Sequence, residues 1–306
     1  MRIVCFDAQA EFYADRLRDT APDAVIVAAQ SPDEAIAALP GAEVLIALAP
    51  RLTPAVMAAA TDVKWIQALT TGVDNIAGYP GFALTNCHGI HGPQMSELAV
   101  MLMLASLRNF PRMLVNQRMA VWDRWPQPLL SGRTACIVGV GAISEHLAQV
   151  LRVLGMKVTG VTSRRDVDGF DHLYTRMNIQ SAVASADFVI VLSPFTPANR
   201  NIVDANVIGA MPATAHLINL SRGGCVDEAA VIRALIDGRI AGAALDVFDQ
   251  EPLPTNSPLW SVPNLIVTPH LGGFSDVYHE QALPILQRNL RLYLDGGADA
   301  LKDRIK

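Results

Sequence analysis

The sequence predicts an α/β protein built on two doubly wound, Rossmann-like parallel sheets, and three observations carry that expectation. Short apolar runs alternate with helical patterns from one end of the chain to the other, as parallel sheets covered by helices require. The chain has 306 residues, about twice a typical domain. A glycine-rich turn, Gly139-Val140-Gly141, opens a second alternating series in mid-chain.

In the first series the expected strands are Arg2–Phe6, Ala24–Ala28, Glu43–Ala47, Lys64–Ala68 and Ala83–Asn86, short runs with the length of strands rather than helices. Helical stretches such as Pro32–Leu39 and Pro54–Ala60 fall between them. A long helix starts near Pro93 and runs past Leu107, bridging to the second series, and a polar segment containing Trp and Pro follows from Trp122 to Arg133. The second series has strands at Ala135–Val138, Lys157–Val161, Phe188–Leu192, His216–Leu220, Gly242–Phe248 and Leu265–Thr268. One more helix, Asp276 to Asp295, and a charged tail close the chain.

Composition excludes several classes. Hydrophobic residues make up 51% and charged residues 17%, which suits a folded protein. A net charge of −5 with no Lys/Arg run argues against nucleic acid as a partner. Cys5, Cys87, Cys136 and Cys225 lie far apart with no CxxC pair, so reduced thiols are expected and no metal site. The first residues lack the apolar stretch of a signal peptide, and Ala99 to Leu107 is too short to span a bilayer. A soluble, cytoplasmic protein without a membrane partner is the expectation.

The chemistry starts at Gly139-Val140-Gly141-Ala142-Ile143-Ser144, which follows a strand and opens a helix, the context a dinucleotide fingerprint needs. The first glycine permits the turn, the second lets backbone approach a pyrophosphate, and the helix N-terminus supplies unpaired N–H groups. Gly139, Gly141, Ala142 and Ile143 are therefore candidate cofactor contacts, with Ser144 standing where a third glycine is usual. The next strand ends in Thr162-Ser163-Arg164-Arg165, where an NAD site would carry an acidic residue for the adenosine ribose. Ser163 and Arg164 suit the 2′-phosphate of NADP instead, so NADP(H) is expected over NAD(H). Arg222, Glu251 and His270 each follow a strand of this same series. Ligands of open α/β sheets bind at such strand ends. An imidazolium can protonate the alkoxide left by hydride addition to a carbonyl, and a carboxylate beside it favours that charged form. A guanidinium can polarise the carbonyl and hold an anionic substrate. Arg51 also follows a strand end, with a surface role favoured over a substrate contact.

Three segments stand out: Ile218-Asn219-Leu220-Ser221-Arg222-Gly223-Gly224-Cys225-Val226-Asp227-Glu228, Ala244-Leu245-Asp246-Val247-Phe248-Asp249-Gln250-Glu251-Pro252 and Asn264-Leu265-Ile266-Val267-Thr268-Pro269-His270-Leu271-Gly272-Gly273. Together they resemble one family, the D-isomer-specific 2-hydroxyacid dehydrogenases. The resemblance implies that His270 is the acid/base, Glu251 its carboxylate partner and Arg222 the residue holding the substrate. It implies that Asp246 contacts the nicotinamide carboxamide, and that Pro194 and Thr196 flank the nucleotide. Thr71-Gly72-Val73 matches a turn whose N–H groups receive the substrate carboxylate. It also implies a discontinuous, flavodoxin-like substrate domain, residues 1–96 plus 275–306, around a nucleotide domain of residues 97–274. A glyoxylate/hydroxypyruvate-type reductase is the expected member. A non-enzymatic corepressor-like protein on the same fold is the alternative. A homodimer is expected, with Trp122 and Trp125 in or near its interface.

Overall fold

A computed structural model describes residues 1–306. The chain divides into two compact units, Met1–Ile90 with Ser275–Lys306, and His91–Phe274. The first boundary falls at the head of a helix rather than at residue 96. Met95 packs in the core of the second unit, and Ser96 hydrogen-bonds His146 there at 2.8 Å.

The first unit holds a parallel sheet of β1 (Arg2–Phe6), β2 (Val25–Ala29), β3 (Val44–Ala47), β4 (Trp65–Ala68) and β5 (Ala83–Thr85), in the order β2-β1-β3-β4-β5. That is the flavodoxin-like order. Alternate residues of a strand face opposite sides, so β1 sends Val4 and Phe6 to one core and Ile3 and Cys5 to the other. The first core is covered by α2 (Pro32–Ala38) and α3 (Pro54–Ala59), which follow α1 (Ala10–Leu17) in the chain. Each of the two starts with a hydroxyl cap and a proline: Ser31 accepts from Glu34 N–H, and Thr53 from Val56 N–H. The second core takes Tyr13 and Leu17 of α1 and the stripe Leu286, Leu290, Tyr293 of the C-terminal helix, Tyr278–Gly296. Tyr293 stacks on Trp65 with ring centroids 5.0 Å apart.

The second unit opens with α4 (Gly92–Leu107) and α5 (Phe110–Arg118). Its strands are β6 (Thr134–Val138), β7 (Lys157–Val161), β8 (His172–Tyr174), β9 (Phe188–Val191), β10 (His216–Asn219), β11 (Gly242–Leu245) and β12 (Leu265–Val267). They pair in parallel in the order β12-β11-β10-β9-β6-β7-β8. The order reverses between β6 and β9, which makes that gap the switch point where dinucleotides lie. Helices α6 (Ala142–Val153), α7 (Ile179–Val183), α8 (Ala205–Ala210) and α9 (Glu228–Ile236) complete the unit. α4 and α6 cover one sheet face through Met95, Leu102, Leu147 and Leu151, while α7, α8 and α9 cover the other through Val183, Ile208 and Val231. β8 and α5 are additions to the elements expected from sequence. β11 is three residues shorter than expected, because the chain leaves the sheet at Asp246 to build the site. All four cysteines are buried thiols, and burial pushes those of Cys5, Cys87 and Cys136 up to about 12. No single helix is long and apolar enough to cross a membrane.

Candidate active site

At the switch point, β6 ends and Gly139 turns with φ 94°. A Cβ there would lie 2.4 Å from Ser193 Cα at the exit of β9, so only glycine fits. Gly141 caps α6, and Ala142 and Ile143 form its first turn, presenting the unpaired N–H groups and the positive dipole end. Open space surrounds the position a Gly141 Cβ would take. Ser144 is buried and donates its hydroxyl to Gly139 O at 2.6 Å, bracing the turn where a third glycine is usual. These residues fit a dinucleotide pyrophosphate: a close-approach turn, an open helix end and no side chain in the way.

Two loops rim that turn. After β7, Arg164 N–H donates to Thr162 Oγ1 at 3.1 Å, and Ser163, Arg164 and Arg165 are exposed. The Arg164 guanidinium folds back to pair with Glu145 in the first turn of α6. After β9, Asn199 Nδ2 donates to Ser193 Oγ at 3.0 Å and to Pro194 O at 2.8 Å, and Thr196 Oγ1 accepts from Asn199 N–H at 3.2 Å. Pro194 and Thr196 are thereby fixed.

Arg222, Glu251 and His270 come from the exits of three adjacent strands, β10, β11 and β12. His270 Nδ1 lies 2.6 Å from Glu251 Oε2, and Glu251 Oε1 accepts from Phe248 N–H at 2.9 Å. Burial pushes the Glu251 carboxyl up. The His270 bond, the Phe248 N–H and the charges of His270 and Arg222 outweigh it and leave the group below the usual carboxylate range. The arrangement is thus a carboxylate–imidazole pair with a guanidinium close by. Arg222 itself is half-buried and donates to Ser221 O at 2.7 Å. Gly223 lies against the glutamate segment so tightly that a Cβ would meet Phe248 C at 1.9 Å.

Asp246 is 1% exposed. Its Oδ1 accepts from Thr268 Oγ1 at 2.6 Å and Leu271 N–H at 2.9 Å, and its Oδ2 from Gly272 N–H at 2.9 Å. Its backbone carbonyl takes the His270 N–H at 2.8 Å. One residue therefore holds the whole turn on which His270 adopts a left-handed φ of 54°. In the first unit, Thr71, Gly72 and Val73 form the turn after β4, held by Thr71 Oγ1 to Cys87 O at 3.0 Å and Thr70 Oγ1 to Gly72 O at 2.8 Å. Arg51 stacks over Phe6, 4.4 Å from the ring centroid, and donates to Gln30 O, so its guanidinium is engaged within that unit.

One residue that sequence reasoning passed over also shapes the site. Asn219 is 1% exposed; its Oδ1 accepts from Ser221 N–H at 3.2 Å and its Nδ2 donates to Arg222 O at 3.1 Å. An Asn at a strand end, two residues before a polar turn, is the Asx-turn signal that could have found it. No group of three or more His, Cys, Asp or Glu side chains is placed to hold a metal ion.

Residues 100–272 match the family described as D-isomer specific 2-hydroxyacid dehydrogenase, NAD binding domain. The chain belongs to the D-isomer-specific 2-hydroxyacid dehydrogenase family. Its relatives are NAD(P)-dependent oxidoreductases. A D-3-phosphoglycerate dehydrogenase of Methanocaldococcus jannaschii is 31% identical over 80% of this chain, and this chain spans only 48% of that protein's length. A glyoxylate reductase of Thermofilum pendens is 31% identical over 82% of this chain and 78% of its own. Among solved structures, a family protein of Aeromonas salmonicida superposes with a TM-score of 0.92 at 32% identity, covering 100% of this chain and 98% of its own. An NADPH-dependent glyoxylate/hydroxypyruvate reductase of Sinorhizobium meliloti, in complex with NADP and sulfate, superposes with a TM-score of 0.84 at 26% identity, covering 100% and 98%.

Proposed function

We propose that this dehydrogenase reduces a small 2-oxo acid to its D-2-hydroxy acid with NADPH, in a glyoxylate/hydroxypyruvate-type reaction. The observation that carries the reading is the His270–Glu251 pair. An ionised carboxylate only accepts, so Nδ1 carries the shared hydrogen and Nε2 is the ring atom that passes a proton to substrate. Reduction leaves an alkoxide that must receive that proton, and the Glu251 carboxylate favours the imidazolium that supplies it. Arg222 polarises the carbonyl and holds the anionic substrate. The backbone of Thr71, Gly72 and Val73 receives the substrate carboxylate by family resemblance.

When bound, the nicotinamide dinucleotide supplies the hydride. Gly139, Gly141, Ala142 and Ile143 would hold its pyrophosphate, and Pro194 and Thr196 would flank it. The remaining acceptor capacity of Asp246 Oδ2 suits the carboxamide. Ser163 and Arg164 would receive a 2′-phosphate, with no acidic residue between Thr162 and Arg165 to repel it. The NADP complex of the Sinorhizobium meliloti neighbour supports the same choice. A homodimer belongs to the proposal: Trp122 is 91% exposed, with Met119 and Leu129 exposed on either side of it. Light scattering showing a stable monomer at micromolar concentration would remove that part.

The test of the reaction is kcat/KM for glyoxylate, hydroxypyruvate, pyruvate, phenylpyruvate and 3-phosphohydroxypyruvate, each with NADPH and NADH. Glyoxylate or hydroxypyruvate with NADPH is expected to rank first. First rank for any other acid overturns the substrate class.

A further inference from the structure

The glutamate paired with His270 sits on a turn, Phe248-Asp249-Gln250-Glu251, outside the sheet. Two successive N–H groups of that turn donate to carboxylates. Phe248 N–H goes to Glu251 itself at 2.9 Å, and Asp249 N–H goes to Glu228 Oε1 at 2.7 Å. The first bond is local and moves with the turn. The second ties the turn to a different segment.

Glu228 is the first residue of α9, where an acid would ordinarily serve the helix dipole. Capping there is already done by Asp227, which accepts from Ala230 N–H at 2.9 Å. The Glu228 side chain instead leaves the helix for the glutamate turn. Its environment is unfavourable to a charge: burial pushes the carboxyl up, as do the charges of Asp249 and Glu251, against the lowering by the Asp249 N–H. A carboxylate kept beside two others needs a gain elsewhere, and the grip on the 248–249 peptide is that gain. The peptide is the same one that Gly223 packs against, with a would-be Cβ 2.1 Å from Asp249 N. The arginine segment and the glutamate turn are thus keyed together at one point, and Glu228 closes the key.

We propose that Glu228 is a positioning residue of the catalytic centre, gripping the Phe248–Asp249 peptide so that the Glu251 carboxylate meets His270 Nδ1. The proposal rests on the acid/base reading of the His270–Glu251 pair. The charged groups around Glu228 are Asp249 and Glu251, and those acting on Glu251 are His270 and Arg222.

The experiment compares Glu228→Ala, Glu228→Gln, Glu251→Gln and the double variant Glu228→Ala/Glu251→Gln, with amide exchange at Asp249 followed by NMR. Glu228→Ala is expected to lower kcat about tenfold or more, as small misplacements of catalytic groups do. NADPH affinity stays unchanged, the alkaline limb of reduction moves to lower pH as in Glu251→Gln, and the Asp249 amide exchanges faster. Glu228→Gln keeps the acceptor oxygen and is expected within about threefold of the parent kcat, too little loss to displace the turn. The double variant should be no worse than Glu251→Gln alone, since both act through one contact. Parent kcat and pH profile in Glu228→Ala overturn the proposal, as do equal losses in the Ala and Gln variants or fully additive losses in the double variant. If His270→Gln retains turnover, it is the acid/base reading that fails, while exchange at Asp249 still reports the grip.

Discussion

Asp246→Asn exchanges an acceptor oxygen for a donor at the place where three hydrogens converge on one buried carboxylate. The better amide orientation keeps Thr268 Oγ1 and Leu271 N–H on the remaining oxygen and turns NH2 against Gly272 N–H. That leaves a buried N–H without an acceptor, at about 1–3 kcal/mol, and removes the charge assistance from the other two bonds. The sum is about 2–4 kcal/mol. For a unit of this size each kcal/mol moves the midpoint by about 2–4 °C, so a fall of roughly 5–15 °C is expected. The turn also holds His270 at φ 54°, a conformation that costs on the order of 1–2 kcal/mol for an L-residue and relaxes when its anchor weakens. kcat should therefore fall along with the midpoint. Scanning calorimetry, NADPH titration and steady-state kinetics on the variant measure the three quantities. A parent-like midpoint and kcat with weakened NADPH binding would refute the anchoring role and leave Asp246 as a carboxamide contact alone.

His270→Gln should cut kcat by about a hundredfold or more with NADPH affinity little changed; near-parent turnover would sink the acid/base assignment. Glu251→Gln should move the alkaline limb of reduction to lower pH, because the imidazolium loses its carboxylate, and an unmoved limb counts against the pair. Arg164→Ala should cost NADPH about tenfold or more in kcat/KM relative to NADH, the worth of one charge-assisted bond. Glu145 already occupies that guanidinium, so a ratio unchanged by the substitution would show that Arg164 never leaves it. His216 is buried against Ser106 Oγ at 2.6 Å, and burial first, then the Arg133 charge, push its pKa down to about 4. The folded chain stays neutral there while the unfolded chain gains a proton below about 6.5. Stability is thus lost as pH falls from about 6.5 to about 4, by about 3 kcal/mol in all. Urea midpoints across that window should fall less steeply in His216→Gln, and an equal slope would refute the assignment.

What the sequence made legible follows from burial. β3 and β9 are buried on both faces and read as continuous apolar runs, so the expected and observed strands agree to within a residue. β8, His172–Tyr174, is a short edge strand with no apolar run to mark it. α5 has no buried residue, so periodicity does not announce it, although Asn109 caps it by accepting from Arg112 N–H at 3.4 Å and Pro111 stands in its first turn. In the candidate site, Arg222, Glu251 and His270 stand out in the sequence because each sets a reactive residue type after a strand end, and the structure brings the last two into contact. Asn219 and Glu228 were on view in the same segments but carry their roles through partners, Arg222 O and Asp249 N–H, that spacing does not disclose. Arg164 and Glu145 are 19 residues apart, and only the fold brings them together.

The parallel register explains why three separated segments make one site. Asn219 pairs with Leu245, and Leu245 with Val267, so β10, β11 and β12 end level with one another. Adjacent strands lie about 4.8 Å apart, so their exits span roughly 10 Å. Arg222 and His270 follow their strand ends closely, whereas Glu251 follows β11 after the longer turn from Asp246 to Gln250. β11 is the middle strand, so the one residue that must meet both neighbours is carried by the longest and most adjustable exit. That length is also a liability, since a six-residue excursion needs external ties to be a fixed position. The ties are there: Gly223 packed on the 248–249 peptide, Glu228 on the Asp249 N–H and Asp246 on the facing histidine turn. The sheet brings the segments to one edge, and these contacts from flanking segments set the contact between His270 and Glu251.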